Sequence, residues 1–91
     1  MKRYHYFLTC KCELEDYSNK NIKEVTFNCE LRTIDYPDSI DRWSVLLKKV
    51  FDDICRTNRK ALVKNGVLLF YTLMKTKEVS DELPTEVIFL K

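Results

Sequence analysis

The sequence predicts a single small α+β domain spanning residues 1–91, with one helix packed on one face of a mostly antiparallel sheet of three or four strands. Three observations lead to this prediction. Two N-terminal segments alternate between apolar and polar residues, a central segment repeats apolar residues at helical spacing, and a later segment is almost entirely apolar. The expected order of elements is β-β-α-β, with a further short strand at the C-terminus. A chain of 91 residues can build one modest core.

The first two strands are expected to form a hairpin. Residues 4–14 and 22–34 each alternate with a period of two, and residues 17–21 between them are rich in turn-forming side chains. A tight turn centred on Asn19-Lys20 would place Cys10 opposite Cys29 and Leu8 opposite Leu31. That register puts both apolar faces on the same side, as a single buried face requires.

The helix is predicted to begin after Asp38 or Ser39, either of which can cap its first backbone N–H groups. It ends either near Asn58 or at Asn65-Gly66. Its apolar stripe is expected to comprise Ile40, Trp43, Leu47, Val50, Phe51, Ile54 and Ala61.

The run from Val67 to Met74 is interpreted as a strand buried on both faces or flanked by other strands. Residues 85–90 give a short final strand. A right-handed crossover through the helix would produce the strand order 2-1-3-4. One sheet face would then stay open, with Phe7, Ile22 and Ile34 pointing towards it, which favours a partner or a dimer mate there.

Catalytic residues are not predicted, and we do not expect an enzyme or a cofactor. The single histidine, His5, falls on the expected solvent face of the first strand, whereas Cys10, Cys12 and Cys29 fall on the other face. A glycine-rich phosphate loop needs several glycines, and Gly66 is the only one.

The cysteines raise a zinc hypothesis that the strand geometry disfavours. A Cys-x-Cys pair within a regular strand separates its sulfurs by roughly 6–7 Å, which is too far for one tetrahedral ion. Buried free thiols that pack as small apolar groups are the preferred interpretation, and no metal site is predicted.

Positive charge is concentrated on the helix and the residues after it. Residues 42–64 hold seven basic side chains against two acidic ones, although the whole chain carries a formal charge of only +2. This cluster would suit phosphates or an acidic protein surface, but a solvated helix face is the preferred interpretation. The candidate binding residues are Lys49, Arg56, Arg59, Lys60 and Lys64.

Cytoplasmic localisation is the expectation. The N-terminal apolar run is soon broken by Lys11 and Glu13, which is unlike a secretory leader. Free thiols fit a reducing compartment. No membrane contact is expected, because no segment approaches the roughly 20 apolar residues of a membrane span.

The opening residues 1–7, the hairpin, the helix start at residues 38–40 and the apolar run after Gly66 together resemble a class of short phage and mobile-element proteins with a β-β-α-β layout. The resemblance covers about residues 1–75. It implies inhibition of a larger host protein, such as a defence enzyme, by occlusion, or capture of a nucleotide signal.

The leading functional prediction is therefore a non-catalytic protein-binding module of the phage or mobile-element inhibitor type. The alternative is a binder of an anionic ligand, either a nucleotide signal or nucleic acid, through the basic helix end. Homodimerisation through a sheet edge or the open sheet face is also expected for so small a sheet.

Overall fold

Two long N-terminal strands form the centre of the sheet. The computed structural model describes residues 1–58 and 61–90, with β1 at Lys2–Asp16 and β2 at Ile22–Thr33. Helix α1 covers Ile40–Thr57. It is followed by β3 at Ala61–Glu78 and β4 at Glu86–Leu90. All neighbouring strands are antiparallel, so the predicted α+β class is confirmed.

The hairpin register differs from the predicted one by two residues. Leu8 pairs with Cys29 and Cys10 pairs with Phe27. The turn is longer than expected, since Asp16 and Asn21 close it with a backbone hydrogen bond of 2.9 Å and Lys20 adopts a left-handed conformation. Shifting the register by two residues leaves every side chain on its predicted face.

Helix α1 begins and ends with side-chain caps. The Ser39 hydroxyl accepts a hydrogen bond from the Arg42 backbone N–H at 3.2 Å, and Asn58 donates its own N–H to the Ile54 carbonyl. The predicted stripe is wrong at both ends. Ile40 is 84% exposed because it precedes the first turn that meets the sheet, and Ala61 belongs to β3. Leu46, absent from the prediction, is buried.

The strand order is β3-β1-β2-β4, so the expected order 2-1-3-4 is wrong for the last strand. The segment after β3 passes the end of β1, where the Val79 N–H donates to the Met1 carbonyl and the Arg3 guanidinium donates to the Pro84 carbonyl. This path brings β4 to the far edge of β2. Pairing of Leu31 with Val87 and of Cys29 with Phe89 then extends the apolar face.

The core lies between α1 and the two central strands. Tyr6, Leu8, Cys10, Cys29 and Leu31 pack there against Leu46 and Val50 of the helix. The prediction that the strand cysteines pack as buried free thiols is confirmed. Helix α1 is about 10 Å wide and neighbouring strands lie about 4.8 Å apart, so the helix covers roughly two of the four strands.

Candidate interaction surface

The most apolar segment of the chain is an exposed edge strand. The expectation that Val67–Met74 is buried on both faces, or flanked by other strands, is wrong, because β3 has only β1 beside it. Leu69 and Phe70 are each 54% exposed and Tyr71 is 51% exposed. The exposed apolar residues of this segment, called here the β3 strip, are Val67, Leu69, Phe70, Tyr71, Leu73 and Met74.

The β3 strip presents side chains to both faces of the sheet. Tyr71 and Leu73 pair with Leu8 and Tyr6 and so lie on the helix side. The centroid of the Tyr71 ring is 4.7 Å from the centroid of the Trp43 ring in α1.

On the open face, Phe70 is placed beside Phe7 of β1. Their ring centroids are 6.4 Å apart in an edge-on arrangement. Val67 lies on the same face, because it pairs with Lys11. The open face therefore carries an apolar patch continuous with the strip.

Three irregularities divide the β1–β3 ladder. They fall between His5 and Tyr6, between Thr9 and Cys10, and between Lys11 and Glu13 on the β1 side. At the third, Asn65 adopts a φ of 52°. A regular segment remains between the first two, in which Phe70–Leu73 pair residue by residue with residues 6–9. Bulges are one of the devices that limit pairing at sheet edges.

The three described members of the predicted basic cluster, Lys49, Arg56 and Lys64, each pair with a carboxylate. Lys49 Nζ lies 3.1 Å from Asp53 Oδ1, and the Arg56 guanidinium bonds to the same oxygen. Lys64 lies in β3, where its Nζ is 2.8 Å from Glu15 Oε2 and lowers the pKa of that carboxyl by hydrogen bonding. Arg59 and Lys60 lie outside the described residues.

Lys49 and Arg56 line an open groove of about 460 Å³ between the end of α1 and β4. Its other lining residues are Asp53 and Thr57 of the helix and residues 85–89 of the sheet. The groove wall is formally neutral, because Lys49 and Arg56 are balanced by Asp53 and Glu86. This arrangement gives an anion less attraction than the sequence count suggested.

His5 lies on the open face as predicted, but it is not a surface residue, since only 4% of it is exposed. Its direct partners on the neighbouring strands are Arg32 and Lys75. The imidazole Nδ1 is 3.3 Å from Glu30 Oε1, but the approach angle does not make a hydrogen bond. Burial, and then the Arg32 charge, lower the pKa of His5.

The three strand thiols are closed off from solvent, since Cys10 and Cys29 are fully buried and Cys12 is 1% exposed. Burial raises the pKa of Cys12, and contact with the Cys10 thiol together with burial raises the pKa of Cys29, whereas the hydrogen bond with Cys29 lowers the pKa of Cys10. Within residues 1–58 and 61–90, no three histidine, cysteine, aspartate or glutamate side chains are grouped to hold a metal ion. None of the helices in the described part of the chain has the length and apolar character needed to cross a bilayer.

Comparisons with protein families, with curated proteins and with solved structures found no match in any of the three.

Proposed function

We propose that this chain is a non-catalytic protein-binding module whose main contact surface is the β3 strip. The observation that carries the proposal is the exposure of the most apolar strand segment at a sheet edge. A contiguous apolar patch of this kind on a small domain marks a place where another protein binds. Aromatic and methionine side chains, which the strip supplies in Phe70, Tyr71 and Met74, are enriched in such contacts.

The shape of the strip supports a protein ligand more than a small molecule. Small-molecule sites are concave and enclose most of the ligand, whereas the strip is a ridge with side chains on both faces.

The role that follows is occlusion of a larger protein. A domain of 91 residues with a rigid sheet can cover part of a partner's surface without performing chemistry. This is the inhibitor role implied by the resemblance to short phage and mobile-element proteins.

The test is native affinity capture with the tagged full chain, followed by mass spectrometry and an absorbance scan of the eluate. Phe70→Glu places a charge in the strip, and we expect it to remove a stoichiometric protein partner. Val45→Glu is the matched control, because Val45 is exposed on the helix side turned away from the sheet.

A second pair of changes separates the anion-binding alternative. Reversing Lys49 and Arg56 to Glu should leave capture of a protein partner intact. Nucleotide or nucleic acid in the eluate, released steeply by salt and lost in the charge-reversed variant, would contradict the proposal and favour the alternative. Loss of the partner in the Val45→Glu control would also contradict it.

A further inference from the structure

We infer that the edge of β3 pairs with the same edge of a second copy of this chain, giving a two-fold dimer with one continuous sheet. The inference rests on the proposed function, because it concerns the same strip. In such a dimer the strand order would be β4-β2-β1-β3 followed by its mirror order in the second copy. An isologous contact of this kind closes on itself and does not propagate.

The accessible surface area of the chain supports a further contact at this edge. The accessible surface is 6211 Å², about 600 Å² above the roughly 5,600 Å² expected for a compact monomer of this mass. The six half-exposed side chains of the strip account for on the order of 500 Å² of apolar surface. Stable dimers bury about 800 Å² per partner, and the helix-side part of the strip together with the backbone edge supplies a share of that area, while the open-face part stays exposed.

The charges of β3 suit pairing with itself. A two-fold axis perpendicular to the sheet makes the two strands antiparallel, and we place it in the regular segment, within Phe70–Thr72. Lys75 and Lys77 of one copy then lie beside residues 63–69 of the other, away from its own Lys75 and Lys77. If the axis passes through residue 70, 71 or 72, Lys64 lies opposite Thr76, Glu78 or Ser80 of the other copy, respectively. Lys77 is not among these three partners. Beyond the regular segment, no lysine would lie directly opposite another lysine, so like-charge repulsion is avoided.

Edge pairing would use the two faces of the strip differently. Tyr71 and Leu73 lie on the helix side, so they would fill the space between the two α1 helices together with Trp43. Phe70 and Val67 lie on the open face beside Phe7, so both copies would contribute them to one central patch. That patch would remain available to the partner protein proposed above.

The irregular ladder is consistent with a short and closed contact. Bulges near both ends of Phe70–Leu73 confine regular pairing to this segment, which discourages open-ended stacking. The opposite edge of the sheet, β4, has only five residues and carries Glu86. A β3-to-β4 contact would place the charged Glu86 against this apolar edge.

The test is the mass of the full chain in solution, measured by sedimentation equilibrium and light scattering. We expect twice the chain mass of 10.9 kDa for the natural sequence, and the single-chain mass for Leu73→Lys. Val45→Lys, an equivalent change on the exposed helix face, should keep the dimer. Circular dichroism checks that each variant is folded.

A small substitution provides a test that does not disturb folding. Thr72→Cys places a thiol next to the expected axis, and mild oxidation should link two copies covalently, whereas Ile40→Cys should not link them. A single-chain mass for the natural sequence, together with no cross-link at residue 72, would overturn the dimer. The proposed function would survive that result if Phe70→Glu still abolished capture. A dimer whose capture is unaffected by Phe70→Glu would instead contradict the proposed function alone.

Discussion

At the scale of single residues, His5 shows that alternation in a strand predicts the sheet face of a side chain but not its burial. Alternation placed His5 on the open face correctly. It did not predict burial, because burial depends on the neighbouring strands, on which Arg32 and Lys75 are the direct partners of His5. Long side chains can shield a residue on a face that no other element covers.

The buried ring makes stability depend on pH in a defined window. The pKa of His5 is lowered from 6.5 in the folded chain, so the unfolded chain binds the proton more readily. We therefore expect the free energy of unfolding to fall as pH drops below about 6.5, as the linkage relation requires. Urea unfolding at pH values on either side of 6.5 measures this effect.

The matched variant is His5→Gln, which retains a polar side chain but does not titrate. It should lose the stability change between neutral pH and about pH 5. The loss that begins below pH 4.5 should remain, because Glu30, whose pKa is lowered by its hydrogen bond with Arg32, contributes stability that disappears as it is protonated. The same pH dependence in the natural sequence and the variant would show that His5 does not titrate on unfolding.

At the scale of elements, the hairpin shows which part of a register the sequence determines. The period of two assigned faces correctly for both strands, so the set of side chains that faces the helix was predictable. Register within that constraint depends on the turn, and the Asp16–Asn21 closure with its Asx hydrogen bonds was not read from composition. A shift of two residues keeps all faces, so the apolar pattern could not distinguish the two registers.

The contact between α1 and β3 depends on Gly66. A Cβ at this position would lie 2.7 Å from ring atoms of Phe51, because the backbone next to the Asn65 bulge runs directly beside the helix. We expect Gly66→Ala to reduce the free energy of unfolding by about 1–3 kcal/mol, the usual cost of forcing extra atoms into a packed contact. Urea denaturation with an unchanged m-value is the measurement.

A double-mutant cycle that combines Gly66→Ala with Phe51→Leu identifies the cause of that cost. The smaller side chain at position 51 leaves room for the added methyl group, so the pair should be less destabilising than the sum of the single changes. Additive costs would indicate that the ring moves aside freely and that the loss arises in the backbone.

At the scale of the whole molecule, the strand order determines which strand is exposed, and the sequence alone did not predict that order. Residue types alone made Val67–Met74 look like a central strand, because continuous apolar runs are typical of buried strands. Residues 1–58 and 61–90 contain one 18-residue helix, which covers about two strands on one face, so an outer strand remains uncovered. The sequence already predicted one helix for three or four strands. That ratio favours an interface at the strand that the helix does not cover.

The elongated shape of the molecule also leaves an outer strand uncovered. Its principal extents are 48 × 26 × 22 Å, and its radius of gyration of 14.2 Å exceeds the roughly 12 Å of a compact domain of this length.

The basic cluster was predicted from the number of charged residues alone. The structure divides it, because Lys64 lies in β3 whereas Lys49 and Arg56 share Asp53 on the helix.

A dimer built on the β3 edge predicts that thermal stability depends on protein concentration. Dissociation accompanies unfolding of an associated chain, so mass action raises the melting temperature as concentration rises. We expect scanning calorimetry over a wide concentration series to show this rise for the natural sequence and for Val45→Lys. Leu73→Lys should melt at one temperature throughout, because its strip no longer pairs. A melting temperature independent of concentration in all three proteins would mean that β3 stays exposed in the free chain and meets only a different protein.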